Sequence, residues 1–114
     1  MFNYKEIDPS KCEFIDVAGV DELPLGERLF FSIARNEIVL FNVGGKFFAI
    51  GDICSHDDGP LGDGEQEDFE ITCPRHGARF DIRTGKANSL PAVVDIPAYP
   101  IQVVADRIEI GLIA

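Results

Sequence analysis

At 114 residues and 46% hydrophobic composition, the chain has the size and apolar content of one globular domain built around one core. Twenty acidic side chains against ten basic ones leave a formal net charge of −10, a field that repels phosphate backbones and anionic headgroups and argues against nucleic acid or a membrane surface as partner. No window approaches the roughly 18–20 apolar residues of a membrane span, and Met1-Phe2-Asn3-Tyr4-Lys5-Glu6 lacks the charged-then-apolar order of a signal peptide, so a cytoplasmic protein is expected.

In chain order, residues 12–18, 28–34, 37–43, 46–50, 69–73, 79–83 and 101–111 are short runs rich in Ile, Val and Phe, and they read as strands; no window reads as a helix. The first run contains Cys12. With three cysteines that cannot all pair, its thiol is expected to behave as a small buried hydrophobe. Val39-Leu40-Phe41-Asn42-Val43, Gly44-Gly45, Lys46-Phe47-Phe48-Ala49-Ile50 predicts a tight hairpin, because paired glycines tolerate the positive φ of a two-residue turn. A second hairpin is predicted where Ala78–Arg83 meets Thr84-Gly85-Lys86, and a third where 101–105 turns at Asp106-Arg107 into Ile108-Glu109-Ile110. The chain is therefore expected to be all-β, an antiparallel sandwich or barrel. From Asp52 to Asp68 glycines and Pro60 break the pattern, and a loop that long needs something to order it.

Candidate ligands flank that loop. Cys54-Ser55-His56 and Cys73-Pro74-Arg75-His76 are separated by the sixteen residues from Asp57 to Thr72, and they contain both histidines of the chain. Thiolate and imidazole are good zinc ligands, but structural zinc sites usually draw Cys pairs two to four residues apart, whereas each arm here supplies one Cys and one His. Two mixed arms suit a two-metal cluster in which one iron takes both thiolates and the other both imidazoles.

The run Cys54-Ser55-His56, Cys73-Pro74-Arg75-His76-Gly77-Ala78-Arg79-Phe80-Asp81, Thr84-Gly85 and Leu90-Pro91-Ala92 resembles the Rieske 2Fe-2S domain, in particular the small ferredoxins of bacterial ring-hydroxylating oxygenase systems; the likeness runs from about Gly44 to the end. It implies a Rieske fold, with an antiparallel β-sandwich base and a small cluster-binding subdomain of two loops, over a single domain at 1–114. It also implies that Cys54 and Cys73 bind an inner iron, His56 and His76 an outer one, and that Leu90, Pro91 and Ala92 form a loop over the cluster. Gly59 and Arg75 stand where the respiratory branch of the family has a disulfide, so packing and the cluster itself are expected to hold the loops. Ala78 and Phe80 stand where that branch has hydroxyls near sulfur, and Gly77 lies between them and the second arm. Fewer donors to sulfur, and seven acidic residues without a basic one between 57 and 70, predict a reduction potential near the lower end of the Rieske range, around −150 mV.

With both histidines committed to the cluster, none remains for the two-His, one-carboxylate iron site of an oxygenase, and no nucleotide-binding glycine fingerprint precedes a helix. The implied function is a one-electron carrier from a flavin-dependent ferredoxin reductase to a terminal oxygenase. A redox subunit of another system, such as nitrite reduction or iron–sulfur metabolism, and a zinc-stabilised interaction module remain as alternatives.

Overall fold

Strand side chains alternate between faces, so a strand that is apolar on consecutive residues must be covered on both sides. Ile38-Val39-Leu40-Phe41 is such a run, and all four side chains are fully buried. They lie on a strand at the centre of the computed structural model, which describes residues 7–55, 59–75, 77–92 and 94–113. The strands are β1 (Cys12–Gly19), β2 (Arg28–Ile33), β3 (Asn36–Val43), β4 (Lys46–Gly51), β5 (Gln66–Glu67), β6 (Glu70–Thr72), β7 (Arg79–Asp81), β8 (Ala98–Tyr99), β9 (Ile101–Val104) and β10 (Arg107–Ile113). Short 3-10 turns at Pro9–Lys11 and Val20–Glu22 flank β1, and no helix of the described residues is long and apolar enough to cross a membrane.

Three antiparallel sheets result, in the orders β1-β10-β9, β2-β3-β4-β8 and β5-β6-β7. The middle sheet separates two cores, where composition alone predicted one. On one face Ile38, Leu40 and Ala49 meet Ile108, Ile110 and Leu112 of β10, with Leu23 beside them. On the other, Val39, Phe41 and Ile50 meet Ile71, Phe80 and Ile82 of the small third sheet and its exit. The register is consistent with this division, since Val39 pairs with Ile50 and Leu40 with Ala49. Complete burial of each large side chain contributes about 1.5–3 kcal/mol, so β3 fastens the third sheet to the sandwich.

The Gly44-Gly45 hairpin forms as expected, with φ of 63° and 90° and Val43 opposite Lys46. Its geometry is reinforced by Asn42, a buried polar side chain whose amide donates to the Leu23 carbonyl while its oxygen accepts from the Gly45 amide. The third hairpin turns one residue earlier than predicted, at Ala105-Asp106, with Val104 opposite Arg107. Both turn residues have positive φ, which Asp accepts more readily than most residues. The second predicted hairpin forms as a short one, in which the Asp81 amide donates to the Lys86 carbonyl and the Asn88 amide to the Arg79 carbonyl. β7 pairs with β6, and the return arm contributes one bridge, Phe80 to Ala87. Gly85, at φ 75°, turns the chain away there, its amide donating to the Asp81 carbonyl.

Arg28 of β2 reaches the third sheet directly. Its Nη1 donates to the Gly62 and Gly64 carbonyls at 2.5 and 2.9 Å, and its guanidinium carbon lies 5.2 Å from the Phe41 ring centroid. Arg28→Ala is expected to destabilise the chain by about 2 kcal/mol, mainly through two carbonyls left without their charged donor. Urea unfolding measures this, and a loss below about 0.5 kcal/mol would contradict it.

Candidate functional site

β4 runs out of the middle sheet into the first loop, and the Asp52 carboxylate folds that loop back on itself. Its Oδ1 accepts from the Leu61 and Gly62 amides at 2.9 and 2.6 Å, while the Asp52 amide donates to the Glu37 carbonyl. The next turn closes where the Cys54 amide donates to the Gly59 carbonyl, 2.8 Å away. In the second loop, between β6 and β7, the Cys73 amide donates to the Ala78 carbonyl at 2.7 Å. Each cysteine therefore closes its loop onto the residue five positions ahead. Gly77, at φ 76°, makes the second turn possible and donates to the Cys73 carbonyl.

Cys54 and Cys73 are 0% and 1% exposed and share one core with Leu61, Ile71, Ala78, Phe80, Ala92 and Ile96. His56 and His76 lie outside the described residues; in the sequence they follow Cys54 and Cys73 by two and three positions. Ala78 and Phe80 are fully buried and offer no hydroxyl. Leu90 and Pro91 are joined by a cis peptide in a third loop, and Leu90 is 77% exposed. That loop is tied to the first, because the Ser55 hydroxyl donates to the Val94 carbonyl. Arg75 crosses between the first two loops: Nη1 donates to the Pro60 carbonyl at 2.7 Å and Nη2 to Cys73 Sγ at 3.4 Å. The loops are thus joined by a polar contact as well as by the packing expected from sequence.

The acidic stretch faces water. Asp63, Glu65, Glu67 and Asp68 are exposed, Glu70 is half-buried beside Arg79 and Asn88, and Asp57 and Asp58 lie outside the described residues. Burial pushes the Asp81 carboxyl up, but Arg83 and two backbone amides outweigh it and hold the group below its ordinary range. Cys12 sits apart from this site at the start of β1. Its thiol is half-buried rather than fully buried, and burial, with the charge of Asp8, raises its pKa. Sequence reading missed Arg28, Asp52 and Ser55. For Asp52 a signal exists, an acceptor side chain opening a glycine-rich loop.

Two buried thiols at the bases of matched turns form a soft, water-shielded donor pair suited to iron–sulfur chemistry rather than to an oxygen-ligand metal. The model of the Rieske [2Fe-2S] domain matches residues 13–100. The chain belongs to that family. It is 37% identical over 99 residues to the ferredoxin component of the naphthalene 1,2-dioxygenase/salicylate 5-hydroxylase systems of Ralstonia sp, a match spanning 87% of this chain and 95% of the relative. It is 42% identical over 94 residues to the 3-phenylpropionate/cinnamic acid dioxygenase ferredoxin subunit of Escherichia coli (strain K12), covering 82% and 88%. Among solved structures, the ferredoxin of carbazole 1,9a-dioxygenase from Nocardioides aromaticivorans IC177 superposes with a TM-score of 0.80 at 33% identity, over 85% of this chain and 95% of that one. This Rieske chain carries one 2Fe-2S cluster and is an electron-transfer protein, not a catalytic oxygenase.

Proposed function

We propose that Cys54 and Cys73 hold one iron of the cluster and His56 and His76 the other, in a single Rieske domain spanning 1–114, and that this cytoplasmic chain relays electrons from a flavin-dependent ferredoxin reductase to a terminal oxygenase. The matched closure of the two cysteine turns and the burial of both thiols in one core support the ligand set most directly. When bound, the cluster accepts and returns one electron. Phe80, Ile71 and Leu61 are fully buried and exclude water from the sulfur side. Asp52, Arg28 and Ser55 hold the loops at fixed spacing, which keeps rearrangement on reduction small.

An oxygenase as acceptor is supported by the relatives, which are ferredoxin components of dioxygenase systems. The net charge of −10 suits docking on basic surfaces of both partners. In a reconstituted assay with a reductase, NADH and a ring-hydroxylating oxygenase, product formation is expected to require this chain and to slow several-fold between low and high salt. Equal product without the chain would contradict the carrier role. A rate insensitive to salt would contradict charge-guided docking.

A further inference from the structure

We propose that Arg75 is a two-loop clasp that both positions Cys73 and raises the reduction potential of the cluster, and that Gly59 lacks a side chain in order to seat it. The proposal rests on the assignment of Cys73 as a ligand. The guanidinium is a planar fork that stays charged at any working pH. Here one arm of the fork holds the Pro60 carbonyl of the first loop and the other points at the Cys73 sulfur of the second. The plane between them lies over Gly59. A Cβ built on Gly59 would fall 2.6 Å from Cζ, 2.7 Å from Nη2 and 2.9 Å from Nε of Arg75, closer than real Cβ contacts come.

The backbone of Gly59 is outside the left-handed region, so its dihedral angles do not demand glycine. Space does. The Gly59 carbonyl also closes the Cys54 turn, so one residue links both loops: through its carbonyl to Cys54, and through the empty face of its Cα to Arg75 and on to Cys73. A charged donor 3.4 Å from a ligating sulfur stabilises the reduced state, which carries one more negative charge, over the oxidised state. Ala78 and Phe80 offer no hydroxyl for that purpose, leaving Arg75 as the charged side chain aimed at sulfur among the described residues.

The test compares Arg75→Ala, Arg75→Lys, Gly59→Ala and the Gly59→Ala/Arg75→Ala pair with the unmodified holoprotein, by redox titration followed in the visible and EPR spectra and by the rate of cluster loss on warming. Arg75→Ala is expected to shift the reduction equilibrium about threefold to tenfold toward the oxidised form, about 30–60 mV downward at 59 mV per decade for one electron. It should also speed cluster loss several-fold. Arg75→Lys keeps the charge without the fork and is expected to fall between the two. Gly59→Ala leaves Arg75 in the chain but displaces its plane, so it should lower the potential like Arg75→Lys; in the Arg75→Ala background it should add little. If Arg75→Ala does not retain the cluster, Arg75→Lys and Gly59→Ala carry the same comparison. A reduction equilibrium within twofold of that of the unmodified protein in all variants overturns the proposal, as does full additivity in the double variant. Either result with an intact rhombic spectrum overturns the clasp alone, whereas an unmodified protein without that spectrum overturns the ligand assignment beneath it.

Discussion

Cys73→Ser is expected to abolish the visible spectrum and to lower the thermal midpoint of the chain by well over the effect of any surface substitution. The sulfur sits at 1% exposure among Ile71, Ala78 and Phe80, at the base of a turn that its own amide closes. A hydroxyl there is a poor, hard ligand for iron, and it is also a buried polar group, which alone costs about 1–3 kcal/mol where its bonding is incomplete. Ligand loss adds to this, because a bound metal contributes its binding energy to folding. Absorbance at visible wavelengths, iron content and a thermal melt check the expectation together. His76→Ala is expected to lose the same spectrum, and retention of the full spectrum in either variant would remove that residue from the ligand set.

Gly64→Ala tests the scaffold rather than the ligands. A Cβ at this position would lie 1.8 Å from the Thr72 carbonyl oxygen, and the obstacle is backbone, which cannot swing aside as a side-chain tip can. Thr72 is itself fixed because its N–H donates a hydrogen bond to the Glu65 carbonyl, and it immediately precedes Cys73, while the Gly64 carbonyl accepts from Arg28. Relief must therefore come from moving the first loop off the second. A destabilisation of about 3 kcal/mol or more is expected, a fall in thermal midpoint on the order of 10–15 °C, with reduced cluster occupancy. Gly45→Ala is the contrast. Nothing lies within 4 Å of its added Cβ, and only the positive φ of 90° opposes it, at a cost of about 1 kcal/mol. Equal losses in the two variants would show that the close approach at Gly64 relaxes easily.

Features written in adjacent residues were legible before any coordinates. Gly44-Gly45 between two apolar runs announced its hairpin, and Ile38–Phe41 its strand, because turn chemistry and side-chain alternation act within a few residues. Two-residue strands such as β5 and β8 carry no periodicity, so they fell outside the predicted strands. The division of the apolar residues between two cores was likewise hidden, since it depends on which sheet covers each face of β3. At the site, residue type and spacing singled out the Cys and His pairs, whereas the groups that fix their loops did not stand out. Arg28 meets Gly62 across 34 positions and Ser55 meets Val94 across 39, distances over which no local pattern informs. Arg75 was legible as the absence of a cysteine, but its contact with the Cys73 sulfur was not. That contact supplies a donor which the low-potential expectation had counted as missing.

The account is tested most directly by pulsed EPR of the purified chain after reduction with dithionite. It predicts a rhombic signal from one cluster per chain with hyperfine couplings to two imidazole nitrogens, those of His56 and His76. A colourless zinc-loaded protein, or a reduced cluster with no nitrogen coupling, would contradict it.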